Sequence, residues 1–399
     1  MGVFVTPQIE IDSYYASEAL GQSKGKQILR SLSDFTAPRE DIDSKPYIIL
    51  GKGVDTLLTG VEGEFEKTYH ISQVEKLPSE TVIGIIGQVF DKVRDNYNNY
   101  LLTVPVTEAV EIVDKGDYVV AQNDSLEQES CAEIVPFSLF VKPLHLYEEF
   151  ILEACANVNY QPRWGVDAKL KAIVEPSYEY FNDLCKAEGK KVISGDIYNT
   201  ITNVVNSLKS HPRTSRYFDR DFQAEQTVVD FYYQLPIYFR YNEVDCKALL
   251  DLVVVIKDIN GDILKVEPID LKTMSGDTFD FPNSIKSHRY DIQAAYYTEA
   301  VYAYFSLDRE NEDIVSPFKF IVESTTRQGK PLIFEMTADY LALAREGHQQ
   351  SANYYVPGVN DILRKVNYHI ENGWELEQEI QEADEAMRFL QVGPFGIIK

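Results

Sequence analysis

The stretch Lys247 to Thr273, KALLDLVVVIKDINGDILKVEPIDLKT, constrains this chain more than any other. Two runs rich in Val, Ile and Leu flank Asn260-Gly261. An Asn-Gly pair between apolar runs is a strong hairpin signal, because a type I′ turn needs positive φ at both central residues. A two-residue loop there makes Ile259 face Asp262, so facing residues sum to 521 and Asp251 faces Asp270. Side chains alternate with period 2, so the two carboxylates share a side of the hairpin, roughly 5 Å apart at Cβ, and Lys272 shares it with them. Opposed acids repel in a sheet, and a divalent metal relieves that repulsion. The competing reading is a pair of solvated face residues, or a register broken by a bulge. The apolar setting of these acids places metal chemistry ahead of it.

The chain has 399 residues, 44% of them hydrophobic, enough for one large or two ordinary domains. Four scattered cysteines (Cys131, Cys155, Cys185, Cys246) show no C-x-x-C spacing, which argues against a disulfide framework or thiolate zinc and for a reducing compartment. The opening MGVFVTPQIEIDSYY lacks the basic and apolar regions of a signal peptide, and no apolar run reaches membrane-spanning length. The expected location is therefore cytoplasmic, with no membrane partner. The net charge of −25 counts against non-specific polyanion binding by the surface as a whole. It leaves room for a local basic channel, and basic stretches occur at Lys24-Gly-Lys26, Lys209 to Arg220 and Lys286 to Arg289. Acidity concentrates in Asp117 to Glu133 and after Glu371.

Taken in order, Ser23 is the expected cap of a first helix carrying Ile28 and Leu29. In YIILGKGVDTLLTG, Gly51 and Gly53 suit a turn, with Asp55 in the first turn of the helix that follows. Asp55 there simply favours a helix N-terminus. A helix starts near Glu80, another occupies Pro143 to Ala156, and residues 176 to 218 read as helical, with a break at Ile193-Ser-Gly195, Asp196 as N-cap of the second helix and its end at Pro212. His211 reads as a helix-end residue. Gln226 to Tyr241 reads as strands. One helix is expected from Ser284 to Phe305, with Gln293 and Tyr297 on one face. Strands follow at 318–322 and 331–336, then helices at 337–349 and 368–390.

Several of these segments together resemble the PD-(D/E)XK nuclease superfamily, and more narrowly the exodeoxyribonuclease VIII type of phages and prophages. YYASEALGQSKGKQILRSLSDF and YIILGKGVDTLLTG are similar to that family's opening helix and Gly-x-x-x-His motif. KALLDLVVV is similar to its second motif, EPIDLKT to its third, and YDIQAAYYTEAV to its Gln-x-x-x-Tyr helix. Where the pattern has His, this chain has Asp55.

The resemblance implies an α/β fold with a restriction-endonuclease-like core. A mixed central sheet is flanked by helices. Residues 1–60 form its N-terminal part, 61–175 an insertion and 176–399 the main core with an acidic C-terminal helix and tail. It implies a metal-dependent exonuclease acting on linear duplex DNA, 5′ to 3′, in phage-type recombination within a bacterial host. Mg²⁺ or Mn²⁺ is the expected cofactor, held by Asp251, Asp270, the Leu271 carbonyl and Asp55. Lys272 orients the attacking water or neutralises charge, and Gln293 and Tyr297 hold the nucleophile side or the scissile phosphate. Glu225 is a weaker candidate behind the ligands. Lys209, Arg213, Arg216, Lys286 and Arg289 are candidate DNA contacts. Glu267 and Glu323 are left as strand-face residues. The implied partners are DNA, a single-strand annealing protein and further copies of the chain in a ring. The alternative is a nuclease fold of reduced activity with a DNA-associated or virion role.

Overall fold

The computed structural model describes residues 13–38, 45–72, 74, 77–103, 137–187, 189–222, 226–309, 313–352 and 354–374. Glu225, Cys131, the acidic stretch 117–133 and the part of the expected 368–390 helix beyond residue 374 lie outside them; within them Tyr368 belongs to helix Val359–Asn372, which ends at Gly373 rather than running on. The strands are β1 (Leu20–Gly21), β2 (Tyr69–Ile71), β3 (Lys191–Ile193), β4 (Thr227–Tyr241), β5 (Val244–Asp258), β6 (Ile263–Met274), β7 (Phe318–Ser324), β8 (Leu332–Met336), β9 (His348–Ser351) and β10 (Tyr354–Val356).

The chain divides into two compact units. One joins the residues up to Glu64 to those from Thr200 onward, and the other is Phe65–Asn199. In the second, β2 and β3 pair in parallel. Helices Glu80–Thr103, Glu148–Asn157 and Val166–Lys186 bury Ile85, Ile86, Val89, Ile151, Ile173 and Phe181. A Ser72 hydroxyl donates to the buried Asp183 carboxylate at 2.6 Å. Residue 175, where the sequence reading ends the insertion, lies inside Val166–Lys186, which continues through Pro176.

The first unit is an α/β layer structure around a mixed six-stranded sheet, order β1-β5-β6-β7-β8, with β4 also on β5. β4–β5, β5–β6 and β7–β8 are antiparallel, whereas β1–β5 and β6–β7 are parallel. Helix Tyr290–Tyr304 is buried almost all round, at Ile292, Ala294, Ala295, Ala300 and Val301 among others, and shares its core with Ile28, Phe320, Ile362 and Val366. A helix apolar on most faces belongs in a core of this kind. No helix among the described residues is long and apolar enough to cross a membrane.

The two-residue type I′ turn does form, but at the other end of β5. Asn242 and Glu243 have φ of 45° and 67°, and Tyr241 pairs with Val244. At Asn260-Gly261 the expected turn is replaced by a wider one. Gly261 alone is left-handed there (φ 95°), its N–H donates to the Asp258 carbonyl, and the Asp258 carboxylate accepts from the Asn260 and Asp262 amides. This closure shifts the tip by one residue, so Lys257 pairs with Ile263. A bulge at Leu264 shifts it back, and from Ile256↔Lys265 to Leu252↔Ile269 the facing residues sum to 521, as the sequence predicts.

Three local expectations are corrected. Gly51 and Gly53 make no turn. Helix Pro46–Thr59 runs straight through them from a Pro at its first position, so Asp55 is in its third turn. Gly51 faces Thr273 of β6, where a Cβ would meet the Thr273 hydroxyl only at an ordinary van der Waals distance of 3.8 Å. The single helix expected over 284–305 is two, Phe281–His288 and Tyr290–Tyr304, broken at the left-handed Arg289 (φ 53°). Ser23 and Asp196 lie inside their helices rather than capping them; Gly21 is the N-cap of the first, and the Ser194 hydroxyl accepts from Ile197 N–H in the second.

Glu267 is no solvated strand-face residue. It is buried on β6 and pairs with the buried Lys319 of β7 at 3.0 Å, with Arg216 and Lys265 near 3.7–3.8 Å. Removing one partner of a buried pair strands the other charge. Lys319→Met should lower unfolding free energy by about 3 kcal/mol. Arg240→Ala, which opens the exposed Arg240–Asp245 pair, should change it by less than about 1 kcal/mol. Urea unfolding of both variants checks the contrast.

Candidate active site

The site forms where β6 parts from β5. β4 covers one edge of β5 along its length, and the other edge is shared by β1, at Cys246–Lys247, and by β6 from Leu252 onward. Asp251 therefore lies in the gap just before the β5–β6 ladder begins. Beyond Ile269, β6 continues on β7 alone, with Asp270↔Phe320 and Lys272↔Val322 in parallel register. The Leu271 amide, freed from the β5 ladder, donates to Asp251 Oδ2 at 2.8 Å. One residue's N–H and C=O leave the same edge of a strand, so the Leu271 carbonyl is on the Asp251 side too.

Asp270 is buried and held twice: Gln293 Nε2 donates to its Oδ1 at 2.6 Å, and Lys272 forms an ion pair with its Oδ2. Tyr297, one turn after Gln293 and buried, hydrogen-bonds to the Gln293 side chain. Helix Pro46–Thr59 brings Asp55 to the same place.

The electrostatics show how closely these groups are coupled. Burial, and then the charges of Asp251 and Asp270, push the Asp55 carboxyl well above its ordinary range. Burial, and then Asp270, push Asp251 up to about 7 against the opposing pull of Lys272. Burial disfavours the Lys272 ammonium, but Asp270 and Asp251 outweigh it and hold its pKa above the usual lysine range. Burial drives the Tyr297 phenol far upward.

The structure thus brings Asp55, Asp251, Asp270, Lys272, Gln293 and Tyr297 together. Among the described residues no three acids, histidines or cysteines stand gathered at metal-ligating distance; both Asp270 oxygens face protein donors instead. The donor chemistry nevertheless fits a hard divalent cation: three carboxylates on neighbouring elements, with the carboxyls of Asp55 and Asp251 raised by burial and by neighbouring acid charge, and a carbonyl beside them.

The basic candidates are more scattered. Lys209, Arg213 and Lys286 are exposed, with Lys209 Nζ 3.5 Å from the Leu57 carbonyl. Arg216 leans on Glu267 and Tyr217. Arg289 is engaged by the Asp291 carboxylate and the Pro357 carbonyl. Glu323, fully buried, accepts from Ser207 and from the Ser324 and Gly329 amides.

Three residues at or beside the site are not among its predicted members; the sequence places Lys26 only in a basic stretch. Lys26 donates to the His288 carbonyl at 3.1 Å and shares the Tyr290 ring with Lys272, the two ammoniums lying 6.0 and 4.9 Å from its centroid. Burial, and then Lys272, lower its pKa to about 8. The third, Gln234, donates to Asp251 Oδ1 at 3.4 Å. Reading Asn242-Glu243 as the β4–β5 turn would have placed Gln234 opposite Asp251, because facing residues then sum to 485.

No family model matches the chain, and no curated protein matches it. Among solved structures it is similar to one from Eubacterium rectale provisionally described as an exonuclease. The two are 15% identical, the match covers 57% of this chain and 76% of that one, and the TM-score is 0.30. So distant a likeness carries no reading of the site.

Between about pH 4 and 7 the folded protein keeps a proton on Asp251 that the unfolded chain has released, so this group makes stability fall as pH rises through that window. Asp251→Asn should raise stability at pH 8 by on the order of 1–2 kcal/mol after solvent screening, and the gain should vanish near pH 4. Thermal unfolding of both proteins across pH 4 to 8 measures it.

Proposed function

We propose that this chain is a metal-dependent nuclease that hydrolyses phosphodiester bonds of linear duplex DNA as an exonuclease. The carrying observation is the pair Asp251 and Asp270 at the fork of β5 and β6, with Lys272 ion-paired to Asp270 and Asp55 charge-coupled to both. A purely structural sheet has no use for acids set against one another in its interior.

Asp251, Asp270, Asp55 and the Leu271 carbonyl would hold Mg²⁺ or Mn²⁺. Such an ion, when bound, supplies charge neutralisation on the phosphate and a water of lowered pKa. The protein's own residues do the rest. The Lys272 ammonium offers positive charge to the phosphate oxygens. Gln293 fixes the rotamer of Asp270 through its Nε2–H, and Tyr297 fixes Gln293. Glu225 remains a candidate support behind the ligands. Lys209, Arg213, Arg216, Lys286 and Arg289 supply charge along the path of the DNA backbone. The resemblance to exodeoxyribonuclease VIII enzymes supports 5′ to 3′ polarity, a ring of copies and an annealing partner in phage-type recombination.

A second reading, a nuclease fold of reduced activity with a DNA-associated or virion role, is favoured by one observation: Lys272 and Gln293 occupy both oxygens of Asp270.

The deciding experiment digests linear duplex DNA labelled separately at each end, in Mg²⁺ or Mn²⁺. The 5′ label should be lost first. Asp270→Ala should abolish cleavage, and Lys272→Met should reduce it about 10²–10³-fold. A folded wild-type protein that releases neither label in either metal supports the second reading.

A further inference from the structure

Gln234 stands in the middle of β4, the longest strand together with β5, yet its φ is 48°. A left-handed backbone is costly for a side chain with a Cβ, and in mid-strand it turns the residue out of its pleat. The ladder records the effect. Tyr233↔Leu252 and Leu235↔Leu250 pair normally, and the rung between them, Gln234 opposite Asp251, is missing. No residue is inserted, since facing residues sum to 485 on both sides, so this is no bulge. The rotated carboxamide instead reaches Asp251 Oδ1 at 3.4 Å, while the other oxygen, Oδ2, takes the Leu271 amide. Asp251 is thus held from β4 on one side and from β6 on the other. Within the bodies of β4 and β5 the left-handed backbone falls at the residue that faces a candidate ligand, and strain placed there marks a functional demand on that position.

We infer that Gln234 is a positioning residue of this site, whose carboxamide orients Asp251 for a divalent cation at the expense of backbone strain. This rests on the proposed nuclease reading. A neutral amide suits the position: it donates to Asp251 without adding a fourth negative charge, and its oxygen remains free to accept from a cation-bound water.

The test compares wild type with Gln234→Gly, Gln234→Glu and a Gln234→Gly/Asp251→Asn double variant, each as the full chain. Glycine takes the left-handed conformation without strain, so Gln234→Gly should raise Tm by about 2 °C. It should weaken Mn²⁺ binding, titrated directly, by about tenfold and slow DNA cleavage to a similar degree. Gln234→Glu, which keeps the length and loses the donor, should lower Tm in metal-free buffer and recover it when Mn²⁺ is added. A Gln234→Gly protein that gains stability and keeps wild-type Mn²⁺ affinity and cleavage overturns the inference. A fall in its Tm overturns the strain argument. If wild type neither binds Mn²⁺ nor cleaves DNA, the nuclease reading fails first, and the double variant then judges Gln234. The Tm effect of Asp251→Asn should differ between the wild-type and the Gln234→Gly backgrounds, and simple additivity rejects the contact.

Discussion

The site depends on a separation of strands. Were β6 to stay on β5 past Ile269, Asp251 and Asp270 would be rungs of an ordinary ladder, and the Leu271 amide would bond to backbone. Because β6 continues on β7 alone, that amide turns to the Asp251 carboxylate, and an acid finds a donor in a place where water is scarce. Strand alternation sets Asp270 and Lys272 on one face, where the ammonium compensates part of the acid charge. Burial, repulsion and compensation nearly balance. The outcome is that the carboxyls of Asp251 and Asp55 are held above their ordinary range, and added positive charge would favour their ionised forms.

Around this opening, the neighbouring elements act as braces. Helix Tyr290–Tyr304 is buried on almost every side, with Ala294, Ala295 and Ala300 among its packed residues, and from it Gln293 reaches Asp270. The break at Arg289 matters as well. A helix continuous from Phe281 would fix the angular phase of Gln293 by the packing of Phe281 and Ile285. The left-handed residue decouples the two, and the Arg289 side chain, tied to Asp291 and Pro357, holds the new phase. Lys26 and Lys272 share the face of one tyrosine, so positive charge gathers at a single point inside a chain whose total is strongly negative.

Much of this was legible in the sequence, and the failures have physical causes. The apolar runs around Asp251 and Asp270 specify their strands; the register sum of 521 holds although the two-residue turn behind it does not form, because the bulge at Leu264 cancels the shift at the tip. Helical spacing puts Gln293 and Tyr297 on one face, and the resemblance implies that this face meets the acids. Gly51 and Gly53 misled, since glycine permits a turn without requiring one, and the helix that starts at Pro46 simply continues through both. Arg289 carries no signal of a left-handed break. Asn242-Glu243 lacks the glycine expected of a type I′ turn, so the β4–β5 hairpin was not seen, and Gln234 was missed with it. The burial of Glu267 follows from Lys319, far away in sequence and adjacent only once β6 and β7 pair.

The hairpin tip contains two irregularities that cancel: a closure that displaces the strands by one residue, and a bulge at Leu264 that restores them. The tip therefore behaves as a vernier between the loop and the strand body. Changes in loop length are taken up at the Leu264 joint before they reach Leu252 and Ile269, and the spacing of the two acids is insulated from the part of the hairpin most exposed to solvent and to sequence drift.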